Sequence, residues 1–141
     1  MRSMKKFLSR AVFVLSLFAV LTSCTVEAEF GDGSGEEYLY GRWEAVTDYV
    51  ERNGEWVIEK TYSDFECIWK FDSFYLTITE PNNANSGREQ SYMYIKNKIK
   101  LGGGNLTEYR VNTLTLNRLE VEWERTNMFD KEKVKRVFRK L

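Results

Sequence analysis

Apolar and polar residues alternate along most of the chain from Tyr38 onward, and this period of two constrains the fold more than any other feature. Successive side chains of a strand point to opposite faces, so alternation predicts strands with one buried and one solvated face. The only proline, Pro81, falls in a loop. About eight short strands joined by hairpins indicate an all-β, antiparallel up-and-down (meander) barrel, with a two-sheet sandwich as the alternative.

The first strand pair is predicted around Asn53-Gly54, because a two-residue type I′ turn needs positive φ at both positions. The pattern puts Trp43, Ala45 and Tyr49 on the inward face of the first strand. One predicted contact is unfavourable, since it sets two acidic side chains opposite each other. The predicted pairs are Tyr49 with Ile58, Ala45 with Tyr62 and Asp48 with Glu59.

A second hairpin is predicted at Asp72-Ser73. That turn brings the apolar faces of two strands to the same side, as register demands wherever one face is buried. Further turns are predicted at Lys96-Asn97 and near Asn117, where the apolar parity changes. The pairs predicted for the second hairpin are Phe71 with Phe74, Trp69 with Leu76 and Cys67 with Ile78.

The last segment fits two kinds of structure. Val134, Val137, Phe138 and Leu141 have helical spacing, whereas a strand would put Val134, Arg136 and Phe138 on one face. We predict a strand, because an antiparallel sheet of this size needs its edges closed.

Residues 1–23 have the pattern of a secretory signal peptide, with a positive start, an apolar middle and small residues at the end. Leu21-Thr22-Ser23-Cys24 resembles the lipobox of bacterial lipoproteins, in which the cysteine is lipidated and becomes the first residue of the mature chain. An ordinary signal peptide is the alternative. Several acyl chains, such as palmitate, on Cys24 would anchor the protein durably. Residues 24–37 are polar and acidic and predict a flexible tether.

A domain over residues 38–141 then has to fold without a disulfide, because Cys67 loses its only partner if Cys24 carries lipid. Removing residues 1–23 leaves 17 basic and 21 acidic residues, a net charge of −4. A mildly acidic domain lacks the basic patch of nucleic-acid binders. We expect a monomer held at the cell envelope, at the outer membrane, with the membrane face left open.

The chain has no histidine. Nucleophilic triads and the commonest transition-metal ligand are therefore absent, and Cys67 lies on an apolar face typical of an inert buried thiol. Glu120, Glu122 and Glu124 alternate on a predicted solvent face. We expect no enzyme activity, no cofactor and no metal.

Three segments carry a family resemblance. Gly41-Arg42-Trp43 resembles the Gly-x-Trp of lipocalins, and the segments Tyr94–Leu101 and Tyr109–Val121 resemble hairpins of small lipocalin-like domains. With the lipobox, the chain is similar to lipocalin-like lipoproteins of Gram-negative bacteria. Asp72-Ser73 departs from the Asp-Gly that such domains often carry. The resemblance implies a barrel with a binding cavity rather than a particular activity.

The predicted interior is rich in aromatic rings, which would contact a small apolar or amphipathic ligand. The number of rings favours a filled interior over a hollow one. An alternative function is therefore an inhibitor or accessory module that binds an envelope protein through loops 81–87 and 102–105. Phe65 and Phe74 are also predicted to face inward. The candidate ligand contacts are Trp43, Tyr49, Tyr62, Trp69, Phe71, Tyr92, Tyr94, Tyr109 and Trp123.

Overall fold

The computed structural model describes residues 35–102 and 107–141. These residues contain nine antiparallel strands and one short 3-10 helix, joined by turns and loops. Eight of the strands close into an up-and-down barrel and one, β2, is additional, which confirms the predicted fold class. The helix is Glu36–Tyr38, and the strands are β1 Gly41–Arg52, β2 Glu55–Thr61, β3 Ile68–Phe71, β4 Tyr75–Thr79, β5 Glu89–Ile95, β6 Lys98–Leu101, β7 Glu108–Leu114, β8 Arg118–Asn127 and β9 Asp130–Lys140.

The barrel closes between its first and last strands. β9 pairs with β8 on one edge and with β1 on the other. On its opposite edge β1 pairs with β3 over residues 41–44 and with β2 over residues 47–52. The prediction of a C-terminal strand is confirmed, and the helical alternative is wrong.

The two ends of the barrel differ. At the closed end, Leu39 is fully buried, and the indole Nε1 of Trp43 donates a hydrogen bond to its carbonyl oxygen at 2.8 Å. The turns at residues 72–75 and 115–118 lie at this end. The opposite end, the mouth, carries the β1–β2 and β8–β9 hairpin tips and the loop 80–88.

A β-bulge at Val46 overturns one predicted interior position. Ala45 pairs with Phe138 and Thr47 with Val137, so Val46 is the extra residue, and the parity of β1 reverses beyond it. Asp48 and Val50 are buried, whereas Tyr49 lies on the outer face with its ring centre 5.0 Å from Lys135 Nζ. The prediction of Tyr49 in the interior is therefore wrong.

The same region changes the register of the first hairpin. The predicted pair of Tyr49 and Ile58 is confirmed, but Glu59 is an extra residue on β2, so Asp48 lies opposite Lys60. This pairing of opposite charges replaces the unfavourable pairing of Asp48 with Glu59. The predicted pair of Ala45 with Tyr62 is also wrong, since the Tyr62 amide bonds to Val46.

The β3–β4 hairpin is shifted by two residues from its predicted register. Phe71 pairs with Leu76 and Trp69 with Ile78, so the apolar faces still coincide. The Asp72 carboxylate accepts hydrogen bonds from the backbone N–H groups of Phe74 (2.9 Å) and Tyr75 (2.7 Å), which moves the turn one residue onward. Phe74 is consequently 69% exposed at the turn tip rather than inward. Phe65, also expected inward, is 64% exposed in the β2–β3 loop.

The remaining predicted turns are confirmed. Lys96 and Asn97 have φ of 53° and 61° and join Ile95 to Lys98, as a type I′ turn requires. A turn over residues 115–118 pairs Leu114 with Leu119.

Trp69 is at the centre of the interior. Its ring centre lies 4.9 Å from that of Tyr109, 4.8 Å from that of Phe138 and 6.2 Å from that of Phe71. Such distances are typical of packed aromatic pairs. Around this centre the side chains of one face of every barrel strand form a single core.

Candidate functional site

A buried arginine lies in the half of the barrel interior nearer the mouth, which we call the upper interior. β9 points Arg136 inward between Val134 and Phe138, and its exposed fraction is only 7%. Its Nε donates to Asp48 Oδ1 at 2.6 Å and its Nη2 donates to Asp48 Oδ2 at 2.9 Å. A two-pronged bond of this kind is the strongest way to pair a guanidinium with a carboxylate.

Three further side chains complete what we call the Arg136 cluster (Asp48, Tyr62, Cys67, Glu80 and Arg136). Arg136 Nη2 also donates to the Tyr62 hydroxyl at 2.7 Å, and that hydroxyl donates to Asp48 at 2.6 Å. Nη1 has only longer contacts, 3.4 Å to Glu80 Oε2 and 3.5 Å to Cys67 Sγ. The guanidinium is therefore firmly bound on one side and weakly bound on the other.

Aromatic rings surround the guanidinium. Its central carbon lies 5.2 Å from the ring centres of Tyr62 and Trp123 and 5.8 Å from that of Trp69. Tyr109 fills the space between the two tryptophans, 5.3 Å from Trp123. Cation–π attraction strengthens when the charge is removed from water, so these rings help to hold Arg136 inside.

Two donors beside the cluster have no acceptor among the described residues. The indole Nε1 of Trp69 is buried and makes no hydrogen bond. No hydrogen bond is made by the hydroxyl of Tyr109 within residues 35–102 and 107–141. Only the Trp69 Nε1 is a fully buried atom, and a buried donor without an acceptor costs about 1–3 kcal/mol. The Trp69 ring centre lies 5.8 Å from the guanidinium carbon of Arg136 and 4.9 Å from the Tyr109 ring centre, so the side chains that carry these donors are neighbours in the interior.

The Cys67 thiol and the Tyr62 and Tyr109 hydroxyls around Arg136 are uncharged at neutral pH. Burial raises the pKa of the Cys67 thiol to about 12, and the Arg136 charge offsets only part of the effect. Burial likewise raises the pKa of Tyr109 to about 12 and raises that of Tyr62. Burial opposes the charge of Arg136, but its bonds to Asp48 hold the pKa above its ordinary value. At neutral pH, Cys67 is therefore a thiol and a poor nucleophile.

A second set of ion pairs crosses the mouth. Glu132 accepts hydrogen bonds from Arg52 at 2.7 Å and from Arg125 at 2.8 Å, and Arg125 also donates to Glu59 at 2.8 Å. Bonding to Arg52, followed by bonding to Arg125, lowers the pKa of Glu132 to about 2. The network links four strands, β1, β2, β8 and β9.

The closed-end aromatic residues fill space and pair with the protein itself. The Phe71 and Tyr92 rings meet edge to face at 5.4 Å. The Tyr92 hydroxyl donates to the Asp72 carbonyl oxygen at 2.5 Å, and the Tyr94 hydroxyl donates to Asn97 Oδ1 at 3.2 Å. This half of the interior is core.

The candidate ligand contacts thus divide into two groups, with Tyr49 outside both. Trp43, Phe71, Tyr92 and Tyr94 pack at the closed end. Tyr62 belongs to the Arg136 cluster, and Trp69, Tyr109 and Trp123 pack beside it. Any role toward a ligand stays a prediction. Cys24 lies outside the described residues.

Sequence reasoning missed the charged members of the site. Asp48, Glu80 and Arg136 were not among the candidates, although a charged residue between Val134 and Phe138 on an apolar face was a usable signal. The solvent-face carboxylates expected on β8 do lie on its outer side, where Glu122 is largely covered by Arg110 and Asn112.

No family model, curated protein or solved structure matches the chain. Among residues 35–102 and 107–141 no helix is long and apolar enough to span a membrane.

Proposed function

We propose that this chain is a lipid-anchored protein of the bacterial cell envelope whose lipocalin-like barrel binds one small amphipathic molecule in its upper interior. The ligand's polar end would accept hydrogen bonds from Trp69 Nε1, the Tyr109 hydroxyl and Arg136 Nη1. Its apolar part would extend past Trp123 toward the mouth. Anchoring through lipid on Cys24 would hold this binding site at a membrane.

The incomplete pairing of these three donors carries the proposal. In a core whose polar groups are all paired, a ligand would gain no hydrogen bond by entering. Here a ligand acceptor would pair with the Trp69 indole N–H and remove the free-energy cost of leaving it unpaired. A carboxylate suits the site because it also pairs with a guanidinium. A trapped water is the competing occupant, since buried waters commonly satisfy such groups.

Glu80 is the group that an anionic ligand would have to displace. Its Oε2 contacts Arg136 Nη1 at 3.4 Å, and it belongs to the mouth loop, where Asn83 and the Ser86 hydroxyl hold it. Its side chain is 24% exposed, whereas that of Asp48 is only 7% exposed, so Glu80 is the more accessible of the two carboxylates that contact Arg136. Neutralising it would favour an incoming carboxylate.

A fluorescence titration of the full-length protein in detergent tests the proposal. The probe is cis-parinaric acid, a polyene fatty acid, and its methyl ester is the matched probe without a charge. We expect saturable binding of the acid that tightens about five- to tenfold in Glu80→Gln, equivalent to about 1–1.4 kcal/mol. The ester should respond little to this substitution.

Glu89→Gln is the matched control, because Glu89 is an exposed acid on the outside of β5. It removes the same charge without touching Arg136 and should leave both probes unchanged. Absence of saturable binding of either probe, in wild type and in Glu80→Gln, would contradict the proposal.

A protein-interaction module is the second candidate function. The observation that favours it is the β8–β9 hairpin tip, where Met128 and Phe129 are 88% and 93% exposed. Apolar side chains exposed together at a tip are typical of contact sites. The same titration separates the two functions, because a module that works through its rim needs no ligand inside.

A further inference from the structure

Two rigid turns at the closed end present apolar side chains to the outside. Phe74 is 69% exposed and Leu116 is 70% exposed. The Asp72 carboxylate fixes the first turn, and the Thr115 hydroxyl fixes the second by accepting the Arg118 backbone N–H at 3.0 Å. Because the backbone holds both tips, neither side chain can fold back onto the barrel at low cost.

Both turns flank the point where the chain enters the barrel. Phe71, directly before the first turn, pairs with Gly41 at the start of β1. The second turn meets the end of β9, where the Lys140 backbone N–H donates to the Asn117 carbonyl oxygen at 3.1 Å. The Lys140 ammonium in turn bonds the Tyr40 carbonyl oxygen. The two tips and the entry segment therefore lie at one end of the molecule.

Exposed cations accompany the apolar tips. Arg42 and Lys70 lie directly opposite each other on neighbouring strands, and Lys96 occupies the adjacent β5–β6 turn. None of the three is in an ion pair within the described residues. Like charges directly opposite each other are destabilising, and anionic headgroups beside them would offset that repulsion. Exposed apolar tips flanked by such cations fit an anionic bilayer interface.

The tether favours the same end. Gly35 follows Cys24 by 11 positions, and such a segment reaches at most about 40 Å when fully extended. A strand as long as β9, with 11 residues, spans about 35 Å and rises roughly 25–30 Å along the axis of a barrel with the usual strand tilt. With the mouth at the membrane, the tether would have to use well over half of its reach to pass the barrel. The closed end needs no such extension.

We propose that the closed end of the barrel rests on the membrane, with Phe74 and Leu116 in the bilayer interface, Arg42, Lys70 and Lys96 against anionic headgroups, and the mouth directed away. This inference rests on the lipid attachment at Cys24 in the proposed function. It gives the upper interior an opening toward the aqueous side.

Depth-dependent quenching tests the orientation. Full-length lipidated protein is reconstituted into vesicles of phosphatidylcholine and phosphatidylglycerol, with an environment-sensitive dye on Ser73→Cys beside Phe74 or on Asp130→Cys at the mouth. Brominated lipids should quench the dye at position 73 at least threefold more than the dye at position 130. Equal quenching, or stronger quenching at position 130, would overturn the orientation.

A matched pair of variants identifies the contact residues. Phe74→Ser with Leu116→Ser should remove the quenching at position 73 while the protein stays attached, whereas Met128→Ser with Phe129→Ser at the mouth should not change it. Persistence of quenching in the first variant would overturn the assignment of these tips.

Anchoring itself is read separately. Wild type that fails to sediment with vesicles in high salt would contradict lipid attachment at Cys24, and Cys24→Ala gives the signal of an unattached chain. A protein that sediments but quenches equally at both positions would contradict the orientation alone.

Discussion

Asp48 and Arg136 form the interaction on which the interior depends most at the scale of single residues. Both are buried and two hydrogen bonds join them across 88 positions of sequence. Removing one member leaves the other as an uncompensated charge, which is far more costly than replacing both by apolar groups. The rings of Tyr62, Trp69 and Trp123 cannot replace a carboxylate, because cation–π attraction is worth only about 0.5–2 kcal/mol.

We therefore predict that Asp48→Ala lowers the free energy of unfolding by about 3–5 kcal/mol, as is typical of a broken buried pair. The double variant Asp48→Leu, Arg136→Met should recover much of that loss. Urea unfolding of the three proteins measures both effects. The matched control is Glu120→Ala, which breaks a surface pair at 3.3 Å with Arg118, whose side chain is 54% exposed, and should cost about 0–1 kcal/mol. Equal losses for Asp48→Ala and Glu120→Ala would contradict this account of the cluster.

The identity of this pair could not be predicted from the sequence. Alternation placed Arg136 on the same face as Val134 and Phe138. Its partner, however, was assigned to the outer face, because the bulge at Val46 has no local signal in the sequence. Inward aromatic residues were predicted more successfully, because burying a large ring away from water stabilises the fold. The charged half of the site was therefore missed, while its aromatic half was found.

At the scale of single elements, the bulge in β1 makes a prediction about Tyr49. On the outer face, Tyr49→Ala loses little beyond its contact with Lys135 and should cost about 0.5–1 kcal/mol. Tyr92→Ala removes a ring that is 6% exposed and should cost about 3–5 kcal/mol, as large-to-small changes in cores do. Thermal or urea unfolding compares the two variants. If Tyr49→Ala lowered the free energy of unfolding as much as Tyr92→Ala does, the placement of Tyr49 on the outer face would be contradicted.

The ion pairs across the mouth predict an acid-sensitive connection between elements. The pKa of Glu132 falls from an ordinary value of 4.5 to about 2 in the folded protein. A lowered folded-state pKa adds stability above the unfolded-state value, and that stability is lost as the pH falls from about 4.5 toward 2. Glu132→Gln should therefore lower the urea midpoint at pH 7, and its difference from wild type should shrink toward pH 2.

Glu124→Gln is the control for this titration, because Glu124 is exposed on the same strand pair and lacks bonds to Arg52 or Arg125. Its difference from wild type should stay small at every pH. A constant difference between Glu132→Gln and wild type from pH 7 to pH 2 would show that Glu132 does not contribute through its charge.

The elements themselves were largely predictable, and the misses share a cause. Turn residues with a defined backbone requirement, Asn53-Gly54 and Lys96-Asn97, located their hairpins correctly. At Asp72-Ser73 the dipeptide has no such requirement, and the Asp72 side chain selects the next pair of residues instead. Register is thus predictable where backbone geometry demands particular residues and uncertain where side-chain bonds decide it.

For the whole molecule, the division of one edge of β1 between β2 and β3 determines where the barrel is weakest. Every strand in the closed ring has partners on both edges, whereas β2 pairs only with β1 among the residues that the structure describes. Nothing in the sequence of residues 55–61 distinguishes this strand from the others, because its exclusion follows from the geometry of closure between β1 and β9. The sequence therefore predicted about eight strands but could not say which strand would be extra.

This difference predicts two levels of stability within one fold. The amides of β1 and β9 are bonded within the ring, and closing it joins residues 88 positions apart, so they should exchange with solvent only when the whole barrel unfolds. β2 has one bonded edge and mostly exposed side chains, so residues 55–61 should exchange through local opening at a distinctly lower free energy. Native-state hydrogen exchange at increasing urea measures both levels. In that experiment β2 should be insensitive to urea at low concentration, while β9 follows the global unfolding line throughout. If β2 instead followed the global line from the start, it would be an integral part of the barrel, and the ring of eight strands would not be the cooperative unit.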